Sequence, residues 1–228
     1  GSCWRDLCGN HTFRPIGDSR EYPPFVVQNI LNGKPVVRFQ GQFALRGNSY
    51  YTYKTVFAVG KVNEGGTMIG MYNSYDKSER PKNFFSAKPN SHKELSNYIN
   101  DGDVPVGGIY QDGYRCFTGI FGDDLKARLY ANGDILAEGN MKRPLRDNYL
   151  LIGSSARVET GEPYLSLIGD IAEIIAYPYV LTEQQRIKKK KYLMDKYNLK
   201  AQMSLDGKIP AADEVFGKAV MPEMDKPD

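Results

Sequence analysis

Among the carboxylates close enough in the sequence to act together are Asp170 with Glu173, Asp134 with Glu138, and Asp123 with Asp124. Acid–base cleavage of a glycosidic bond needs two such groups facing one another, about 5–5.5 Å apart when configuration is retained. On one strand that calls for even spacing, because alternate side chains share a face. Asp170 and Glu173 are three apart and are expected on opposite faces of a regular strand. Asp134 and Glu138 have the right parity but begin at the Asn132-Gly133 turn, and Asp123-Asp124 sits in another turn. Nucleophilic catalysis fares no better. The histidines are His11 and His92, and Cys116 lies mid-strand between Arg115 and Phe117, where burial suits it better than attack. Cys3 and Cys8 are close enough to bridge, and no group of Cys and His has zinc-site spacing. The residues speak against an enzyme.

Binding requires less. A sugar is held by an aromatic platform with amide, carboxylate or guanidinium groups to meet its hydroxyls. Tyr72-Asn73-Ser74-Tyr75-Asp76 and Tyr110-Gln111-Asp112-Gly113-Tyr114 carry that mixture, and so does Tyr50-Tyr51-Thr52-Tyr53. Tyr72, Asn73, Tyr75, Asp76, Tyr110 and Tyr114 are therefore the candidate ligand-binding residues. Exposed tyrosines serve a protein interface equally well. Asn100-Asp101-Gly102-Asp103 places hard oxygen donors in a turn, so Asp101 and Asp103 are the candidate metal ligands, without the spaced ligands and closing Glu of an EF-hand loop.

The elements that must position these groups are strands. The chain has 228 residues, 41% of them hydrophobic, with 23 Gly, 13 Pro and 16 Tyr, a turn-rich and strand-favouring balance that excludes wholesale disorder. Net charge is +3, too small to argue for nucleic acid, and no run approaches the roughly 18 apolar residues of a membrane helix. Short β-branched and aromatic runs recur at Pro35 to Phe39, Lys54 to Val59, Thr67 to Tyr72, Tyr114 to Phe121, Leu125 to Tyr130, Ile135 to Glu138, Asn148 to Gly153 and Tyr164 to Tyr177. Asn132-Gly133 is the strongest hairpin signal, since both residues tolerate positive φ. Many strands without alternating helices predict an all-β, two-sheet antiparallel sandwich. The polar stretch from Asn73 to about Asp103 is long for a loop and has room for short strands at Asn83 to Phe85 and Leu95 to Ile99.

One helix is predicted, at about 182–198, with Thr182 as its cap and Gln185 as the capping-box partner. Ile187, Leu193, Met194 and Tyr197 are expected to bury one face against the sandwich. Lys188 to Lys191 cover almost a full turn, so they diverge and read as a solvated exterior. Residues 201–228 form an acidic, Pro-containing tail. Its Leu205, Ile209, Phe216 and Val220 suit docking on this domain or on a neighbouring subunit.

Four segments together resemble one family. Leu167-Ile168-Gly169-Asp170-Ile171-Ala172-Glu173-Ile174-Ile175-Ala176-Tyr177, then Leu181-Thr182 and a helix with Tyr192-Leu193 and Lys196-Tyr197, is similar to the closing strand and terminal helix of laminin-G-like jelly rolls of the concanavalin A-like lectin/glucanase superfamily. Trp4-Arg5-Asp6-Leu7-Cys8-Gly9-Asn10 resembles the family's W-x-D-x-S-G-N, with Cys8 in the serine place. Leu31-Asn32-Gly33-Lys34-Pro35-Val36-Val37-Arg38-Phe39-Gln40-Gly41 is close to its N-G-K-P motif, and Leu129-Tyr130-Ala131-Asn132-Gly133 to its L-Y-hydrophobic-N-G hairpin. The resemblance covers about residues 4–199 in the right order. It departs in lacking the strand that usually precedes the Trp, which makes the chain a candidate piece of a longer protein.

The resemblance implies a jelly roll over residues 1–200 with the tail 201–228 appended. It also implies a non-catalytic, lectin-like carbohydrate-binding module at an extracellular or particle surface, with glycan or polysaccharide as partner and calcium as a structural ion. An adhesion or assembly module binding protein is the alternative. A glycoside hydrolase or polysaccharide lyase is the third reading, weakened because the E-x-D-x-x-E pattern of such glucanases is missing.

Overall fold

The computed structural model describes residues 4–7, 11–16, 23–72, 82–87, 94–99, 106–109, 113–141, 143–157 and 160–199. In chain order the strands begin with β1 (Trp4–Arg5), β2 (Thr12–Ile16), β3 (Phe25–Leu31), β4 (Lys34–Gln40), β5 (Ala44–Tyr51) and β6 (Thr55–Val62). They continue with β7 (Gly66–Tyr72), β8 (Lys82–Ala87), β9 (Glu94–Ile99), β10 (Val106–Ile109), β11 (Arg115–Phe121) and β12 (Lys126–Ala131). The last are β13 (Asp134–Asn140), β14 (Asn148–Ile152), β15 (Ser155–Ala156), β16 (Pro163–Tyr164) and β17 (Ile168–Tyr177), followed by the helix α1 (Glu183–Tyr197).

Two antiparallel sheets pack as a sandwich, as the sequence predicts. Sheet A has the order β1-β2-β5-β14-β7-β8-β9-β10 and sheet B the order β13-β12-β11-β6-β17-β4-β3, while β15 and β16 pair apart from both. Each sheet thus interleaves early and late strands: β17 lies between β6 and β4, and β14 lies between β5 and β7. The core between the sheets is aromatic. Phe84 meets Phe121 at 4.5 Å between ring centroids and Phe85 meets Phe117 at 5.6 Å, all four rings essentially solvent-free. Asn32-Gly33 and Asn132-Gly133 both close two-residue hairpins with positive φ, at 51° and 71° and at 51° and 102°. Asn132 also accepts a hydrogen bond from the Cys116 N–H at 2.9 Å, which ties the hairpin to the neighbouring strand.

The helix begins at the predicted cap. Thr182 Oγ1 accepts from the Gln185 N–H at 3.3 Å, the Thr182 N–H donates to Gln185 Oε1 at 2.9 Å, and Asn198 at φ 52° ends the helix. Leu193, Met194 and Tyr197 pack on Phe57, Val59 and Cys116, the outer face of sheet B. Ile187 departs from expectation and is 46% exposed. The first turn lies over Tyr130, and Arg186 occupies the buried stripe there, its guanidinium 4.1 Å from the Tyr130 ring centroid and paired with Glu183.

The segment predicted as one strand from Tyr164 to Tyr177 is two. Leu165 takes φ 53°, so Pro163–Tyr164 folds back on Ser155–Ala156 before β17 starts. Strands β2, β3, β5 and β10 are not among those predicted from the sequence. β3 shows why: its pairing with β4 breaks between Val27 and Leu31, where Asn29 has φ 57°, and most of its side chains are exposed. The tail 201–228, Cys3, Cys8 and His92 lie outside the described residues.

Candidate functional site

The carboxylates do not sit where strand parity put them. β17 carries a bulge at Ala172: Ile171 pairs with Gly60 and Glu173 with the next residue, Val59. The extra residue turns Glu173 to the same outer face of sheet B as Asp170, correcting the expectation of opposite faces. A second bulge at Leu136 works the other way. Asp134 stands opposite Ala131 and Glu138 opposite Arg128, so these two fall on opposite faces despite their even spacing.

Sharing a face does not make Asp170 and Glu173 a catalytic pair, because cations hold both. Arg38 donates to Asp170 through Nε at 2.7 Å and Nη2 at 2.9 Å, and the Tyr114 hydroxyl donates to Oδ2 at 2.5 Å. Burial alone would raise the Asp170 pKa, but these bonds and the charges of Arg38 and Lys61 hold it below the usual carboxylate range. A general acid needs the opposite shift. Glu173 accepts from Lys196 Nζ at 2.7 Å and so ties α1 to the sheet. Glu138 and Asp124 are engaged by Lys126 and Arg128, and Asp123 pairs with Lys54. Cys116 is solvent-free, and burial pushes its thiol up to about 12, as its mid-strand position implied.

The outer face of sheet A has a different character. Strand register sets Tyr50 beside Tyr149 and Tyr149 beside Tyr72 in one cross-strand row. The next row runs Arg14, Arg46, Leu151, Gly70, Asn83. Tyr50 and Tyr149 meet edge to face at 5.2 Å, and the Arg46 guanidinium lies 5.6 Å from the Tyr149 ring centroid. Tyr72, Leu151 and Ala156 form a small apolar cluster of their own, with Ile16 against it, under the β15–β16 hairpin. Gly70 makes that cover possible: a Cβ there would lie 2.5 Å from the Ser154 carbonyl oxygen. Between hairpin and β2–β5 is a cleft of about 510 Å³ lined by Ile16, Gln42, Arg46, Thr160, Gly161, Glu162 and Pro163. The cleft is a shallow one, open to solvent.

Of the predicted site residues, Asn73, Tyr75, Asp76, Tyr110, Asp101 and Asp103 lie outside the described residues. Tyr72 and Tyr114 are not brought together. Tyr72 is 4% exposed on sheet A, its ring filling the space beside Gly161, and so forms a wall rather than an open platform. Tyr114 is half-buried at the head of β11 in sheet B, its hydroxyl engaged with Asp170 and its pKa raised by burial and by that bond. The Tyr50 to Tyr53 cluster is split: Tyr50 meets Tyr149 edge to face, while Tyr51 meets His11 and Tyr53 edge to face and Tyr53 packs against the main core. Among the described residues no three Asp, Glu, His or Cys side chains converge as metal ligands. Arg14, Arg46 and Tyr149 were not singled out from the sequence, because each is locally unremarkable and only the cross-strand register assembles them.

No protein-family model matches the sequence, and no curated protein matches it. Solved structures do match by shape. Domain 4 of AbnA, a GH43 extracellular arabinanase from Geobacillus stearothermophilus, solved with arabinotriose, has a TM-score of 0.51 at 14% identity, over 78% of this chain and 86% of that one. The binding domain of botulinum neurotoxin DC, solved with rat synaptotagmin II, reaches 0.53 at 11% identity, over 81% of this chain and 47% of that one. The CBM40 domain of Ruminococcus gnavus IT-sialidase gives 0.48 at 12%, over 68% and 96%. At these identities the likeness to the arabinanase and neurotoxin domains speaks for the β-sandwich alone.

Proposed function

We propose that this chain is a non-catalytic carbohydrate-binding module that receives its ligand on the outer face of sheet A. The observation that carries the reading is the row Tyr50–Tyr149 beside Arg14–Arg46, with Arg46 also lining the cleft beside the β15–β16 hairpin. Aromatic faces take the apolar side of a sugar ring, and guanidinium, amide and hydroxyl groups meet its hydroxyls. Two solved structures of similar shape support the reading: the arabinanase domain was solved with arabinotriose, and the neurotoxin binding domain with SialylT. The laminin-G-like resemblance and an extracellular or surface location belong to this reading. The engaged carboxylates argue against a hydrolase.

A glycan array followed by calorimetry tests it. Tyr149→Ala should weaken binding by about 1–3 kcal/mol, roughly 5- to 150-fold, at unchanged fold. Tyr114→Phe, on the other sheet, should leave affinity as it is. A Tyr149→Ala protein that binds like wild type would remove the face from consideration.

A protein-binding adhesion or assembly module is the second reading, favoured by the edge strand β3. It ends sheet B and exposes Phe25 at 43%, Val26 at 55% and Ile30 at 39%. Open edges with apolar side chains accept a further strand. Val26→Lys would abolish association through that edge, as read by pull-down and solution mass, and leave glycan binding intact.

A further inference from the structure

β2 and β5 pair with Arg14 directly opposite Arg46, and both side chains are exposed. Like charges opposed across a sheet repel. Other arginines of this chain resolve that problem with carboxylates: Arg38 with Asp170, Arg128 with Asp124 and Glu138, Arg186 with Glu183. Arg14 and Arg46 form no ion pair among the described residues. Glu162 lines the same cleft as Arg46, yet the two do not pair. The Arg46 guanidinium lies instead 5.6 Å from the Tyr149 ring centroid, on an exposed side chain whose N–H donors no carboxylate among the described residues takes up.

We infer that the group recognised here is an oxyanion carried on a sugar, a carboxylate or a sulfate ester, bridged by the Arg14 and Arg46 guanidiniums while its ring lies against Tyr149 and Tyr50. A planar guanidinium offers two parallel N–H groups to such an anion, and two adjacent guanidiniums gain from an anion between them what they lose to mutual repulsion. Gln42 and Thr160 on the cleft wall supply neutral hydrogen bonds for hydroxyls of the same sugar. Glu162 on the same wall disfavours an anion placed beside it, so the charged group sits at the β2–β5 end. This inference rests on the carbohydrate-binding reading and narrows it to acidic glycans.

The experiment is an array in which each carboxylate-bearing and each sulfated glycan stands beside its uncharged parent, read with wild type, Arg14→Gln, Arg46→Gln and Arg46→Lys. Melting curves check that each variant is folded. The expected hits are acidic members, about 10- to 100-fold stronger than their parents, with the signal falling as salt rises. Either glutamine variant should reduce the acidic signal to that of the parent, and Arg46→Lys, which keeps the charge but not the fork, should fall between. Whether carboxylated or sulfated members respond distinguishes the two sources of the anion. Equal binding of acidic glycans and parents, or unaltered acidic binding in both glutamine variants, overturns the inference while leaving the carbohydrate reading in place. Silence toward every glycan overturns both.

Discussion

Replacing Arg38 with alanine strands a buried charge, and the structure sets the size of the effect. The Asp170 side chain is 3% exposed and takes two bonds from Arg38 and one from Tyr114. Removing one partner of a fully buried ion pair costs about 3–5 kcal/mol. The Arg38 side chain is 37% exposed, so water screens its half of the pair, and the Tyr114 bond survives. The expected loss is then about 2–3 kcal/mol. For a domain of this size that lowers Tm by about 4–12 °C. The pH dependence is the sharper readout. Asp170 has its pKa depressed in the folded state, so it contributes stability above its unfolded pKa of about 4, and that contribution is lost as pH falls through the folded value. Wild type and Arg38→Ala should therefore differ most near neutral pH, and the gap should narrow as pH falls below about 4 toward the depressed folded value, where the wild-type carboxyl also takes up its proton. Urea melts followed by circular dichroism between pH 3 and 7 would show it. A gap of the same size at both ends of that range, or one below about 0.5 kcal/mol at pH 7, would refute the account of this cluster.

Gly153, at φ 84°, would place a Cβ 2.2 Å from the Phe39 ring, so Gly153→Ala should cost more than about 2 kcal/mol and lower Tm in proportion. Thr182→Ala removes the helix cap and should cost about 1 kcal/mol, seen as faster amide exchange in the first turn of α1. Cys116, solvent-free and with its thiol pushed up to about 12, should not react with a thiol reagent at pH 8 until denaturant is added, and prompt reaction in the native protein would contradict the helix packing above it.

The sandwich was legible because its signals are local. Asn32-Gly33 and Asn132-Gly133 specify their hairpins, and Thr182 with Gln185 specifies the helix start, whatever surrounds them. The candidate site was not legible, for two physical reasons. A bulge adds one residue and reverses every parity argument beyond it, as Ala172 does for Glu173 and Leu136 for Asp134. Nothing in the run Gly169 to Ile175 announces that. The second reason is distance along the chain: Arg14, Arg46 and Tyr149 become neighbours only through the register of three strands. Tyrosine-rich runs drew attention because they are contiguous, yet consecutive strand residues are dealt to opposite faces, and Tyr50 and Tyr53 end in different surroundings.

The interleaving of the sheets also constrains when this protein can fold. β4 and β6 carry much of the apolar lining of sheet B, but the strand that joins them, β17, spans Ile168–Tyr177. During synthesis the early strands must therefore wait, their inner edges unpaired, through more than a hundred residues of further chain. β5 and β7 wait in the same way for β14. Closing such long loops before any pairing is rewarded makes folding slow, on the order of milliseconds to seconds, and leaves sticky edges open meanwhile. Truncation before Ile168 would leave β4 and β6 unjoined in sheet B, so such shortened products of this chain should aggregate rather than persist as smaller domains.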